Sequence, residues 1–277
     1  MKHQFWRAYS IYQQNGPIDL YRAIKRFIVS GSLRDEVLNL LPKTELCLRY
    51  YIRLGHTVYP SRFTDADPFK ILWIDPDEII YDVSDSDIPI RFGKVYNGDW
   101  DQTESRFTDR TVYRTMKRHF INGESWENTD YYEQKRKQLE AGKSVRGCAS
   151  VEDLPDYFAR FDKLYESLRE EGYKSQRTLI REAPNETIRQ NLDAPIPALN
   201  EIGLCIGRDG SLLRGYRGEH RLAIAKLADV DSVAVQILVR HRGWQSIRNK
   251  IRNEESITEV SDDAQKSLGH PDIDNHL

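Results

Sequence analysis

The sequence predicts an α+β protein: a small mixed β-sheet with a helical N-terminal arm and a helical insertion. Three observations predict it. Strand-period apolar runs occur at Phe69–Ile74, Gly203–Gly215 and Ser232–His241, each bounded by turn residues. Between them the apolar spacing is helical, with charged and aromatic residues mixed. The run Arg208-Asp209-Gly210 sits between two short apolar stretches, as in a hairpin whose Gly210 takes positive φ.

In chain order, residues 1–60 read as a helical arm. From Asp19 to about Ile52 the spacing is helical, with Leu20, Ala23, Ile24, Phe27 and Ile28 on one face. Gly31 interrupts it, and Leu33, Val37, Leu40 and Leu41 precede Pro42. Residues 61–100 and 151–245 form the core. There Ile71, Leu72, Trp73 and Ile74 predict a core strand, stopped by Asp75-Pro76. Residues 101–150 read as an insertion, with helices over Thr111–Ile121 and Thr129–Ala141. Its Trp126, Tyr131 and Tyr132, with Trp100 just before it, either stack on a flat substrate such as a sugar or pack between helices.

The next helix has Pro155 in its first turn, a stripe of Phe158, Phe161, Leu164, Tyr165 and Leu168, and a stop at Gly172; the stripe is expected to pack on a sheet. In the last strand, Val233, Val235, Ile237 and Val239 are expected on one face, and Ala234, Gln236 and Leu238 on the other. Residues 246–277 read as a helix and an acidic, mobile tail. The basic run Arg240, Arg242, Arg248, Lys250 and Arg252 beside Trp244 is read as a solvated helix face, the alternative being a contact to a phosphate backbone.

Composition limits the function. With 277 residues and a formal net charge of -2, nothing global draws the chain to nucleic acid or to an acidic membrane surface. The solitary Cys47, Cys148 and Cys205 fit reduced thiols in a cytoplasm. The N-terminus lacks an apolar core of signal-peptide length, and no uninterrupted apolar run could span a bilayer.

The chemistry concentrates in Arg214-Gly215-Tyr216-Arg217-Gly218-Glu219-His220-Arg221, a strand end leading at once into an apolar helix. Unpaired N–H groups and the positive helix end converge there, as in an anion site. Gly215 and Gly218 would let a ligand approach the backbone, while Arg217 and Arg221 would grip phosphate oxygens. The alternative is a tight strand-to-helix turn in which Gly218 is there for its backbone, Glu219 complements the helix dipole and the arginines are solvated.

The segment from Ile206 to His241, containing Gly-Glu-His-Arg at Gly218–Arg221, resembles the ParB/sulfiredoxin-like domain. Two earlier stretches agree in order. "WIDPDEI", Trp73–Ile79, is similar to the family's opening strand and Pro-x-x-Ile turn; "LYESLREEGYKSQRTLI", Leu164–Ile180, is similar to its helix-plus-loop box, which leads into a strand. The resemblance implies a nucleotide (ATP, ADP or CTP) with Mg²⁺, phosphate contacts from Gly218, His220 and Arg221, and Ser175 and Gln176 facing the same pocket. A capping imidazole is the alternative role for His220.

The departures narrow the activity. Glu219 stands where sulfiredoxin has its cysteine, so sulfinic acid reduction is not expected. Arg217 stands where the related serine kinases have an acid, leaving Glu219 to act as general base. No helix-turn-helix follows Trp244, which argues against a DNA clamp or nuclease. The expectation is a phosphotransferase or nucleotide hydrolase acting on a small-molecule or sugar acceptor; the alternative is a nucleotide-dependent sensor or adaptor. Asp75, Asp77 and Glu78 are candidates for the metal, or else caps of the turn that follows the strand.

Overall fold

The computed structural model describes residues 34–83, 92–143, 145, 148–183, 199–253 and 267–273, and side chains from residue 45 onward. The expected helical stripe from Leu20 to Ile28 and most of the tail lie outside the described residues.

Among those residues are seven helices and a mixed six-stranded sheet. The chain divides into two units. The smaller draws on residues 34–51, 176–183 and 199–200. It holds the start of helix α1 (Arg34–Val58), which runs on through Pro42. It also holds α5 (Gln176–Glu182), where Arg177 meets Glu45 at 3.0 Å. A strand was expected from the resemblance at this point. Gln-Arg-Thr-Leu-Ile-Arg-Glu is rich in strong helix formers instead.

The larger unit is built on β6 (Val233–His241), all nine residues of which are buried. Along one edge it pairs in parallel with β4 (Ile202–Ile206), which pairs antiparallel with β5 (Leu212–Arg214), which in turn takes β2 (Tyr81–Asp82) in parallel. A strand has only two edges, so β1 (Leu72–Ile74) and β3 (Lys94–Tyr96) share the other. β1 lies antiparallel on Val233–Val235, and β3 parallel on Val239–His241. The expected core strand is therefore an edge strand, and Trp73 is half exposed.

The pairing of β4 with β6 contains a β-bulge. Leu204 pairs with Ile237 but Cys205 with Val239, leaving Leu238 as the extra residue. Val239 therefore turns away from Val233, Val235 and Ile237, against the strict alternation expected, and joins Cys205, Leu213 and Leu238 in a second apolar cluster with Trp100. Gly203 and Gly215 make room for Leu238: a Cβ on either would lie 2.6 or 3.0 Å from its Cδ1.

The main core lies on the other face. It joins Ile202, Leu204 and Ile206 to Leu222–Ala225 of α6 (Glu219–Leu227), and to Val112 and Met116 of α2 (Thr111–Phe120), Tyr131 of α3 (Asp130–Glu140) and Phe158 of α4 (Leu154–Glu171). The boundaries of α2, α3 and α4 agree with their sequence patterns to within a residue or two, and Gly172 closes α4 at φ 71°. The stripe of α4 joins the core cluster that covers this face of the sheet, together with α6 and the α2–α3 segment. Its aromatic residues interleave with that segment: Phe158 lies 4.9 Å from Trp126, and Tyr165 stacks on Phe120 at 4.2 Å.

The basic run is divided: Arg242, Lys250 and Arg252 are exposed, as expected of a solvated face, but Arg240 and Arg248 are not. α7 (Arg242–Asn253) buries Trp244 and Arg248, and β6 buries Arg240. Residues 267–273 of the expected mobile tail return to the body: Asp272 is fully buried and bonds Arg240, Trp244 and Arg248. Two buried guanidiniums need two anions, and Asp65 supplies the second, 3.2 Å from Arg248.

Candidate functional site

The strand-to-helix turn of the central motif lies wholly within the larger unit. Gly218 is the N-cap of α6 in the left-handed conformation, φ 74°, and provides no side-chain cap. A Cβ there would stand 2.8 Å from Cα of Ile202, so the helix start lies directly against β4. Both glycines of the motif thus have packing reasons to be glycine. Gly218 has no side chain of its own with which to cap the positive end of the helix.

The two candidate arginines are used by the fold. Arg217 is buried, its guanidinium 4.8 Å from the ring of Phe92 and 4.9 Å from that of Tyr216. Arg221 runs inward, 3.4 Å from the hydroxyl of Tyr173 and 3.9 Å from Glu201, a fully buried carboxylate at the start of β4. This pair ties the first turn of α6 to the sheet.

His220 stacks on Phe161 at 4.8 Å, and its Nε2 lies 2.9 Å from the hydroxyl of Tyr131. That hydroxyl is 3.4 Å from the hydroxyl of Tyr157. Burial first, then the neighbouring Tyr157, pushes the Tyr131 phenol well above its ordinary value, so it stays protonated.

Glu219 is the most accessible acid of the turn. Its Oε1 is 2.6 Å from Nε of Arg110, whose Nη1 is also 3.3 Å from Asp82. Asp82 is buried and bonds Arg214 at 2.5 Å. A row of alternating charge therefore runs from Arg214 at the end of β5 to Glu219 at the start of α6. The side chain of Arg110 itself, just before α2, is 42% exposed.

Lys135 of α3 lies 4.9 Å above the ring of Tyr131. Burial lowers its amine from the ordinary value, while Cys148 and Glu219 act the other way. Lys135 and Arg110 are the cations that sequence reasoning missed here. Neither has a motif, and both reach the turn only through the packing of α2 and α3 on α6.

The remaining candidates have other settings. Ser175 is buried in the larger unit, and Gln176 opens α5 of the smaller one. Asp75 accepts the N–H of Asp77 and caps the short 3₁₀ turn Pro76–Glu78, and Asp77 bonds Lys226 at 3.1 Å. Among the described residues no three acidic, histidine or cysteine side chains converge as metal ligands. Trp126 and Tyr131 are core residues, and Trp100 belongs to the second cluster. No helix among the described residues is long and apolar enough to cross a membrane.

The chain matches no protein-family model, no curated protein and no solved structure.

Proposed function

We propose that the chain binds a nucleotide (ATP, ADP or CTP) by its phosphates at the first turn of α6, as its resemblance to the ParB/sulfiredoxin-like domain implies. The observation that carries this reading is Gly218: a left-handed N-cap without a side chain sets the positive end of the helix where an anion can approach its backbone closely. Arg110 supports it, because the guanidinium of a half-exposed side chain beside that turn can give charge-assisted, bidentate bonds to phosphate oxygens. Arg217 and Arg221 become supports for the turn, and the phosphate contacts pass to Arg110 and, from the far side, Lys135.

The same arrangement suggests how Glu219 comes into use. Its oxygen is held by Arg110. A phosphate that draws Arg110 away releases that carboxylate beside the bound nucleotide, where it serves as general base toward a hydroxyl of a small-molecule or sugar acceptor. Mg²⁺ then arrives with the nucleotide. The second reading, a sensor or adaptor without turnover, draws on another fact: Arg110 opens α2, so its displacement is felt by the whole α2–α3 segment. Three free cysteines suit a reducing, cytoplasmic setting, where such nucleotides are abundant.

Calorimetric titration with ATP, ADP, CTP and GTP, with and without Mg²⁺, tests the proposal. One nucleotide is expected to bind, and Arg110→Ala to weaken it by at least about tenfold. Binding unaffected by Arg110→Ala would move the ligand elsewhere. Chromatography of the incubated nucleotide separates the readings: turnover abolished by Glu219→Gln marks a transferase or hydrolase, and a nucleotide returned intact marks a sensor.

A further inference from the structure

The seven residues Ser267–Ile273 are held as a ligand is held. Among the described residues their backbone-to-backbone bonds are internal, from His270 to Ser267 and from Ile273 to His270. Side chains of the body make the grip. Arg240 approaches the Asp272 carboxylate with two nitrogens, Trp244 donates its indole N–H at 2.9 Å, and Arg248 reaches both the carboxylate and the Asp272 carbonyl. Lys70 donates to the Pro271 carbonyl at 3.2 Å. His270 lies against the ring of Trp244 at 4.4 Å and bonds the Gly210 carbonyl, and Ile273 is buried.

Part of the seat is held in place by other residues than its occupant. Asp65 holds Arg248 from the opposite side, and Gln245 braces Asp65 at 2.7 Å. Asp65 is paired with Arg248, whereas the carboxylate that meets Arg240 is that of Asp272, so the buried Arg240 calls for a carboxylate from the occupant. Thirteen residues, 254–266, separate the segment from the end of α7.

We propose that Arg240, Trp244, Arg248 and Lys70 form a peptide-binding site that takes an aspartate followed by an apolar residue. The chain's own Pro271-Asp272-Ile273 is its resident occupant and is displaced by a partner peptide of the same chemistry. Recognition combines an anion seat for the aspartate with an apolar seat for the residue after it. The site is independent of the α6 turn, so its failure would leave the nucleotide reading untouched.

The test is fluorescence anisotropy of a labelled heptapeptide, Ser-Leu-Gly-His-Pro-Asp-Ile, added to the full chain. His270→Ala removes two contacts of the resident segment with the body, and the internal bond from the Asp272 N–H, but no residue of the seat. This variant is expected to bind the peptide at least about tenfold more tightly than the wild type, and a peptide with asparagine for aspartate is expected not to bind. Hydrogen exchange of residues 267–273 is read in parallel, together with Ile273→Ser as a second loosened variant. The site is overturned if the segment opens in either variant and the peptide still does not bind, or if opening coincides with global unfolding. Full protection of the segment in both variants would equally overturn it, since the occupant would then be a fixed part of the core.

Discussion

Gly218→Ala is expected to destabilise the protein by about 3 kcal/mol, the sum of a left-handed backbone penalty and forced overpacking. At φ 74° an L side chain is strained, and its Cβ would sit 2.8 Å from the backbone of Ile202, which cannot retreat because β4 lies between β5 and β6. Urea unfolding at neutral pH measures the effect: the midpoint should fall while the slope stays constant. A loss below about 1 kcal/mol would mean that the helix start can shift away from β4, and that the turn is not the rigid support the nucleotide reading needs. Gly215 differs in degree, because its backbone is not left-handed, although an added methyl group would meet Leu238 at 3.0 Å and the Gly203 carbonyl oxygen at 3.2 Å.

Asp65→Asn should cost a similar amount, about 3 kcal/mol, because it removes one partner of a buried ion pair and leaves Arg248 short of an anion. The pH dependence has a definite sign. Burial alone would raise the Asp65 carboxyl, but Arg248 and the bond from Gln245 outweigh it and hold the group well below its ordinary 3.8. Asp272 is held low in the same way, its burial outweighed by Arg240 and Arg248. A carboxylate with a lowered folded value contributes stability that is fully present above the unfolded value and lost as pH falls below it. The wild type should therefore lose stability on acidification below about pH 4. Asp65→Asn should flatten that fall, seen as unfolding midpoints that converge with the wild type between about pH 4 and 2. Parallel curves would place the acid sensitivity elsewhere.

These two cases show what the sequence reveals and what it hides. The helices with clean stripes and stops were legible: Pro155 and Gly172 bracket α4, and Thr129 and Ala141 bracket α3. The hairpin from β4 to β5 was legible from Gly210, which takes φ 91°. The bulge at Leu238 was not, because one extra residue in an unbroken apolar strand leaves no mark on composition, yet it turns Val239 to the opposite face. Arg240 and Arg248 looked solvated because their partners, Asp272 and Asp65, are 32 and 183 residues away in sequence. The candidate site divides in the same way. The turn at Gly218 could be read locally, whereas Arg110, 109 residues from Glu219, is brought there by tertiary packing alone.

The central claim is that the first turn of α6 receives phosphate, and amide NMR of that turn tests it most directly. On adding the nucleotide with Mg²⁺, the N–H signals of Glu219, His220 and Arg221 should shift together with the guanidinium signal of Arg110, and the same amides should stay unmoved in Arg110→Ala at equal ligand concentration. Saturating nucleotide that leaves those three amides unchanged in the wild type would contradict the account, and would make the Gly218 turn a structural joint between β4 and α6.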